Sequence, residues 1–522
     1  MSEPGPVAGA EPGPDGWLRL HPRAVLLATL VTAGVAAGAG FPVLLGLAGA
    51  GWAGHGSGRL LGLALLPAGF ALAVASGAVA GRVRWNRTRY RIGPERAELH
   101  SGILLVKRRS LARERIRTVD LVAPPLLRVL GLVKVRIGTG EHTGGGESTL
   151  ELMPVGRAEG ERLRALLLDR DRGPAPAGHP DGTLAALDPR WIRYAPVSFL
   201  APVLGGAAAG GVMQVSEWFG AQSEVIDWVG ERFRDTPVLW MVLALAAIAL
   251  LTGVVGALGL WVEMWWNYRL DREPGGTLRV RRGLFTARSL SLEERRLRGV
   301  ELVEPLGARL CGAARVDAVA TGIAEDDEDK HADHKTLLPV APRAVADQVA
   351  ARVLREAVPP TGALLTAHPP AARARRVRWA LGAALIPVAV LALLGALLTD
   401  VLLYVAGGCA VVLVPVALLL ARDGYRSLGH GLTGDYLVVR HGSVRRSTVA
   451  LRREGVIGWV VKQSWFQRRA GLVTLTATTA AGSGAYHAFD AGTGEGLEFA
   501  AGAVPGLLEP FLEPGPGAGT SG

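Results

Sequence analysis

The stretch "SLARERIRTVDLVAPPLLRVLGLVKV" (residues 110–135) returns without a gap as "SLEERRLRGVELVEPLGARLCGAARV" (291–316). Leu111 falls on Leu292, Arg115 on Arg296, Val119 on Val300, Pro124 on Pro305, Arg128 on Arg309 and Gly131 on Gly312. A third copy, "VALRREGVIGWVVKQSWFQRRAGLVTL" (449–475), keeps Leu451, Arg453, Glu454, Val456, Arg468, Gly471 and Leu472 in register but has no proline. Self-likeness at fixed offsets marks a structural unit used repeatedly. The unit is larger than this stretch. A short lead precedes each copy, "GWLRLHP" (16–22), "GTLAALDP" (182–189) and "GALLTAHP" (362–369), and a Tyr-Arg pair, Tyr90-Arg91, Tyr268-Arg269 or Tyr425-Arg426, follows the apolar segments between.

Those apolar segments place the chain in a bilayer. Only 20% of its 522 residues are charged, and mean hydropathy is +0.28. Six runs approach the roughly 20 residues a helix needs to cross the hydrocarbon core: 24–48, 60–81, 194–214, 238–262, 379–399 and 401–421. Short joins pair them into three hairpins. The middle loop, 215–237, mixes Trp218, Phe219, Ile226, Trp228 and Phe233 with charges, which suits an amphipathic helix lying in the interface. Arginines crowd the other flanks: Arg19 and Arg23, Arg82 to Arg89, Arg190 and Arg193, Arg373 to Arg378, Arg422 and Arg426. By the positive-inside rule both termini and every large segment between hairpins face the cytoplasm of a plasma-membrane protein. The spans hold no charged residue or histidine in their interiors, which argues against an ion-coupled transporter. Small residues four apart, Gly34/Gly38, Gly77/Gly81 and Gly206/Gly210, suit close helix packing or simply reflect composition.

Within each unit, short runs rich in β-branched residues are punctuated by Gly and Pro, then followed by a helical stretch such as "APRAVADQVAARVLREA" (341–357). The pattern predicts a small barrel or curled sheet closed by a helix.

The His-Pro lead, the hairpin and the stretch 110–140 together resemble the bacterial PH-domain family, in its YdbS/YdbT-like group. The likeness spans about residues 16–512 and is stronger in the first two units than in the third. It implies a mixed membrane protein: six transmembrane α-helices in three hairpins plus three small PH-like β domains, each a pair of curled antiparallel sheets with a C-terminal helix. The expected division is a disordered tail 1–15, hairpin 16–84, PH-like domain 85–170, linker 171–190, hairpin 191–266, PH-like domain 267–357, linker 358–376, hairpin 377–422, PH-like domain 423–512 and a disordered tail 513–522.

Candidate sites divide by whether the copies agree. Chemistry needs a fixed group at a fixed place, yet Ala112 becomes Glu293 and then Arg452, and Asp120 becomes Glu301 and then Val460. No catalytic residue is expected, and the protein is read as a non-enzyme. The persistent residues are Arg128, Arg309 and Arg468 with Gly131, Gly312 and Gly471, where glycine suits a tight turn. Basic residues also recur after the "SG", "RG" and "HG" turns: Lys107, Arg108 and Arg109; Arg281 and Arg282 with Arg279; Arg445 and Arg446. These are the candidates for binding anionic lipid or a partner. The acidic stretch "EDDEDKHADH" (325–334) lacks EF-hand spacing and reads as an enlarged loop. Two distant cysteines, Cys311 and Cys409, form no metal or disulfide pattern. No metal or cofactor is expected.

The expected function is non-enzymatic binding or scaffolding at the inner membrane face. Expected partners are the bilayer, anionic lipid headgroups and a smaller companion membrane protein of the same family, with no nucleic acid. The alternative is a component of a membrane transport or export system.

Overall fold

The computed structural model describes residues 16–49, 57–102, 106–116, 118–138, 149–168, 182–198, 200–321 and 335–511. The two tails, the acidic stretch 325–334, residues 139–148 and most of the linker 171–190 lie outside them. The chain forms two compact units, residues 1–293 and 294–522.

In the first unit the lead forms β1 (Leu18–Arg19), followed by helices α1 (Ala24–Gly49) and α2 (Ser57–Arg87). Then come β2 (Arg89–Ile92), β3 (Arg96–Ser101), β4 (Lys107–Ala112), β5 (Thr118–Ala123), α3 (Pro125–Val129), β6 (Leu132–Gly138), β7 (Thr149–Gly156) and α4 (Arg157–Leu168). The succession restarts with β8 (Gly182–Ala186), α5 (Leu200–Trp218), α6 (Gln222–Arg232), α7 (Val238–Trp265), β9 (Arg269–Glu273), β10 (Thr277–Arg282) and β11 (Ala287–Glu293).

The second unit continues that succession with β12 (Leu297–Pro305), α8 (Leu306–Leu310), β13 (Ala313–Ala320), β14 (Thr336–Pro342) and α9 (Arg343–Leu354). A third round follows: α10 (Pro370–Leu398), α11 (Asp400–Arg426), β15 (Gly429–Thr433), β16 (Tyr436–His441), β17 (Arg445–Arg452), β18 (Gly458–Lys462), α12 (Trp465–Arg469), β19 (Leu472–Thr478), β20 (Ala485–Gly492) and α13 (Thr493–Ala503).

Among the described residues four helices are long and apolar enough to cross a membrane: α7, α10, α11 and, over Ala24–Phe41, α1. Their large side chains point outward; Leu251 is 67% exposed and Leu397 72%. Such apolar surface is costly in water and matched by lipid. Helix α1 packs against α2, α5 against α7 and α10 against α11. The tightest contact lies between α5 and α7, where a Cβ on Gly253 would sit 1.9 Å from the Ala201 carbonyl and one on Gly205 2.0 Å from that of Ala249. Of the small-residue pairs noted in the sequence, only Gly77/Gly81 meets a neighbouring helix, against Thr32 and Ala28; Gly34, Gly38, Gly206 and Gly210 face open space. The loop helix α6 buries no residue, and Ile226 and Trp228 are exposed.

The strands build sheets that cross from one round to the next. The sheet β1-β2-β3-β4 stands alone, whereas the next runs β7-β6-β5-β11-β10-β9-β8. Likewise the second unit holds the sheet β14-β13-β12-β17-β16-β15 and, separately, β18-β19-β20. The joins share one register. Thr118 faces Leu292 across β5 and β11, and Gly299 faces Leu451 across β12 and β17, the same positions in the repeat. In the first unit Tyr90 and Leu99 of the four-stranded sheet share a buried cluster with Val119, Val135, Ile137 and Leu152, closed by Leu163 and Leu167 of α4. In the second, Leu437, Val449 and Leu451 cluster with Val473, Leu475 and Phe499 of α13. Each such side chain, fully buried, contributes roughly 1.5–3 kcal/mol.

Strand β5 carries the opening stretch. Ile116, Thr118, Val119 and Leu121 are buried. Asp120 is buried as well. The reason is topological: β11 covers the side of β5 that a solitary unit would leave open. Burial pushes the Asp120 carboxyl up to about 7, against the opposing pull of Arg136. A raised carboxyl pKa means that between about pH 4 and 7 the folded chain holds a proton the unfolded chain lacks, so stability falls as pH rises through about 7.

Two outcomes are expected from thermal unfolding of the detergent-solubilised chain. Asp120→Asn raises Tm by about 2–4 °C at pH 8, by less at pH 5, and leaves it unchanged only below about pH 4. Gly253→Val forces α5 and α7 apart and costs about 1–3 kcal/mol, whereas Gly206→Val is neutral.

Candidate functional site: a cationic pocket beside the end of α7

Gly131, Gly312 and Gly471 hold φ of +72°, +65° and +63° at the turn after the short helices α3, α8 and α12. That turn presents the arginine three residues earlier. Arg128 donates to the backbone carbonyl of Leu284, in the turn between β10 and β11. Arg309 pairs at 2.6 Å with Asp423, at the end of α11. Both therefore bridge from one round of the repeat to the next. Arg468 is exposed and makes no side-chain hydrogen bond or ion pair among the described residues.

The turn reached by Arg128 is locked to the membrane helix. Glu263 of α7 accepts hydrogen bonds from the Phe285 and Thr286 N–H groups, both 2.9 Å, and Gly283 N–H donates to the Trp266 carbonyl at 2.8 Å. Arg282 stacks on Trp265, 4.3 Å from the ring centre. Beside this corner lies a cavity of about 880 Å³. Its apolar wall is Trp261 and Val262 from α7 and Trp266 just after it, with Leu187 and Pro189 from the lead and Ile192 just after it. Seven arginines line the rest, Arg128, Arg157, Arg269, Arg279, Arg281, Arg282 and Arg288, against one carboxylate, Glu161.

The nearby acids are already committed. Arg279 bonds Glu161 at 2.6 Å and Glu273 at 3.1 Å, and Arg164 joins both from α4. Burial pushes the Glu161 carboxyl up, but the hydrogen bond and charge of Arg279, with Arg164, outweigh it and hold it low. Arg269 and Arg281 share Asp271, at 2.8 and 3.5 Å. Arg157 and Arg288 have no carboxylate partner among the described residues. Guanidinium groups stay protonated and offer several donors in a fixed fork. Aromatic and aliphatic walls beside them suit a ligand with an anionic head and an apolar body, while the set offers no proton exchange at neutral pH.

The corresponding corner of the second unit is neutralised. Arg343, equivalent to Arg157, pairs with Glu304 at 2.8 Å and Asp347 at 2.9 Å, and Arg446 pairs with Glu304 at 2.6 Å. Burial pushes Glu304 up, and the hydrogen bond from Arg446 with the charge of Arg343 more than reverses it. Ser447 stands where the first unit has Arg288.

The basic residues singled out in the sequence do not occupy equivalent places. Lys107, Arg108 and Arg109 follow their turn on β4 and are exposed, and Arg445 and Arg446 follow theirs on β17, held by Glu301 and Glu304. Arg281 and Arg282 precede the turn, on β10. The short spacing hid this, because both arms of a tight hairpin are basic. Arg157, Arg269 and Arg288 were missed, since only the cross-round sheet brings them together. Among the described residues no group of three or more His, Cys, Asp or Glu could hold a metal.

The model of the bacterial PH domain family matches residues 26–171 and 383–501, a little over half the chain. Those matches fall on the first and third rounds, although the internal likeness is stronger between the first and second. The UPF0699 transmembrane protein YdbT of Bacillus subtilis (strain 168) is 20% identical over 422 residues, covering 77% of this chain and 81% of that protein. No solved structure matches. A membrane-embedded chain of antiparallel sheets, matched over half its length by that model, belongs to the bacterial PH domain family.

Proposed function

We propose that this membrane protein is a non-enzymatic binding platform whose arginine pocket takes an anionic lipid headgroup at the inner face of the plasma membrane. The carrying observation is the pocket itself: seven arginines facing one carboxylate, beside tryptophans at the end of a helix apolar enough to span the bilayer. Anionic headgroups attract each cation near the surface by roughly 1 kcal/mol. Tryptophans at that level anchor a helix end at the interface.

In this reading all six long helices cross, with three PH-like domains, bounded as the sequence suggests, and both termini on the cytoplasmic side. Helix α5 has 19 residues, about 28 Å at 1.5 Å per residue, close to the hydrocarbon thickness. It supports this that α2 and α5 pack against helices that meet the criterion.

Native mass spectrometry of the detergent-solubilised full chain tests the pocket, using short-chain phosphatidylglycerol and phosphatidylcholine as probes. Phosphatidylglycerol is expected to bind about tenfold more tightly. The double variant Arg157→Gln/Arg288→Gln loses that preference, because two cations at roughly 1 kcal/mol each outweigh a tenfold difference. Equal binding of the two lipids, or an unchanged preference in the double variant, overturns the proposal.

A further inference from the structure

Among the described residues two strand edges remain open whose repeat equivalents are joined. Strand β5 is covered by β11, and β12 by β17. Their repeat equivalent β18 ends its sheet. On the other side, β11 and β17 are each taken by a preceding round, while their equivalent β4 ends its sheet among the described residues. An edge strand offers a row of unpaired backbone N–H and C=O groups that template a further strand.

We infer that β18 of one copy of this chain pairs antiparallel with β4 of a second copy, in the register already used twice within the chain. Thr118 opposite Leu292 and Gly299 opposite Leu451 translate into Gly458 opposite the second copy's Leu111. Val461 then faces Arg108, as Leu121 faces Ser289 and Leu302 faces Thr448.

Three observations favour this occupant. First, Arg128 and Arg309 each reach into the next round, and Arg468 stands at the same turn, exposed and with no side-chain hydrogen bond or ion pair among the described residues. Second, β18 and its flank expose apolar side chains: Val460 and Val461 at 40% and 44%, Ile457, Trp465 and Phe466 at more than half. Third, the N–H that Leu306 donates to Val444 at 2.7 Å in the second junction has its repeat equivalent in Trp465, at the exposed flank of β18.

Lysines on a strand edge usually discourage pairing, and the register sets Lys462 opposite Lys107. Positive charge on this strand is nevertheless compatible with being paired. Its equivalents β11 and β17 carry Arg288, Arg445 and Arg446 and are covered. Head-to-tail contacts of this kind form rings if the rotation closes and open chains of copies if it does not.

Cysteine crosslinking in membranes of the full chain tests the pairing, on a background of Cys311→Ser and Cys409→Ala. Two differently tagged copies are co-expressed, one carrying Arg108→Cys and the other Val461→Cys. A disulfide-linked dimer of the two tags is expected, and none when Ala112→Cys replaces Arg108→Cys. Lys462→Glu raises the dimer yield roughly twofold or more, by removing a like-charge cross-strand pair, and Arg468→Ala lowers it. The double-cysteine chain Leu121→Cys/Ser289→Cys, which joins β5 to β11, serves as the positive control. Three results overturn the inference. One is no dimer while the control forms. Another is equal linkage in both registers. The last is closure only within a single chain carrying both Arg108→Cys and Val461→Cys.

Discussion

The fold depends on covering one edge of one strand. A β-strand with a free edge leaves backbone donors and acceptors to water and invites foreign strands. Strands β5 and β12 avoid this by accepting β11 and β17 from the following round of the repeat, at identical register. With that edge covered, Asp120 becomes an interior residue, Val300 and Leu302 are fully buried, and the turn after β10 is brought within reach of Arg128. A unit that folded alone would have none of these consequences.

The same backbone join tolerates very different electrostatics. In the second unit Glu304 sits between Arg343 and Arg446, so the cations at that corner are neutralised in place. In the first unit the position of Glu304 is Ala123, which cannot accept a charge, and Arg157 and Arg288 are left facing a cavity. A few residue differences between copies, Ala123 for Glu304, Ala287 for Arg446 and Arg288 for Ser447, thus separate a closed corner from an open cationic one. Backbone pairing carries the architecture, and side chains at the join are available for binding.

Much of this was legible in the sequence. The repeat, its leads and its apolar hairpins follow from hydropathy and self-comparison, and the turn glycines from their persistence across copies. What the sequence could not give was the partner of each strand. A period-2 pattern says which face of a strand is buried, and it is silent on which strand lies beside it. The pocket inherits that silence, because its arginines come from α3, α4, β9, β10 and β11. Gly253 and Gly205 were missed for a related reason. Composition shows many small residues, and only the crossing point of α5 and α7 decides which of them matter.

Persistence across copies therefore needs a physical reading before a functional one. Arg128, Arg309 and Arg468 invite a shared reaction, yet their contacts differ: a backbone carbonyl, a carboxylate and none among the described residues. A catalytic group would keep its chemistry and its neighbours. What the first two keep is direction, since a left-handed glycine three residues on sends each toward the round that follows. The conserved quantity is a geometric reach between neighbouring copies of the unit. In the first unit that reach ends at a turn clamped by Glu263 to a membrane helix. A headgroup bound in the adjoining pocket would touch residues from both rounds at once, so binding there and the strength of the join are thermodynamically linked.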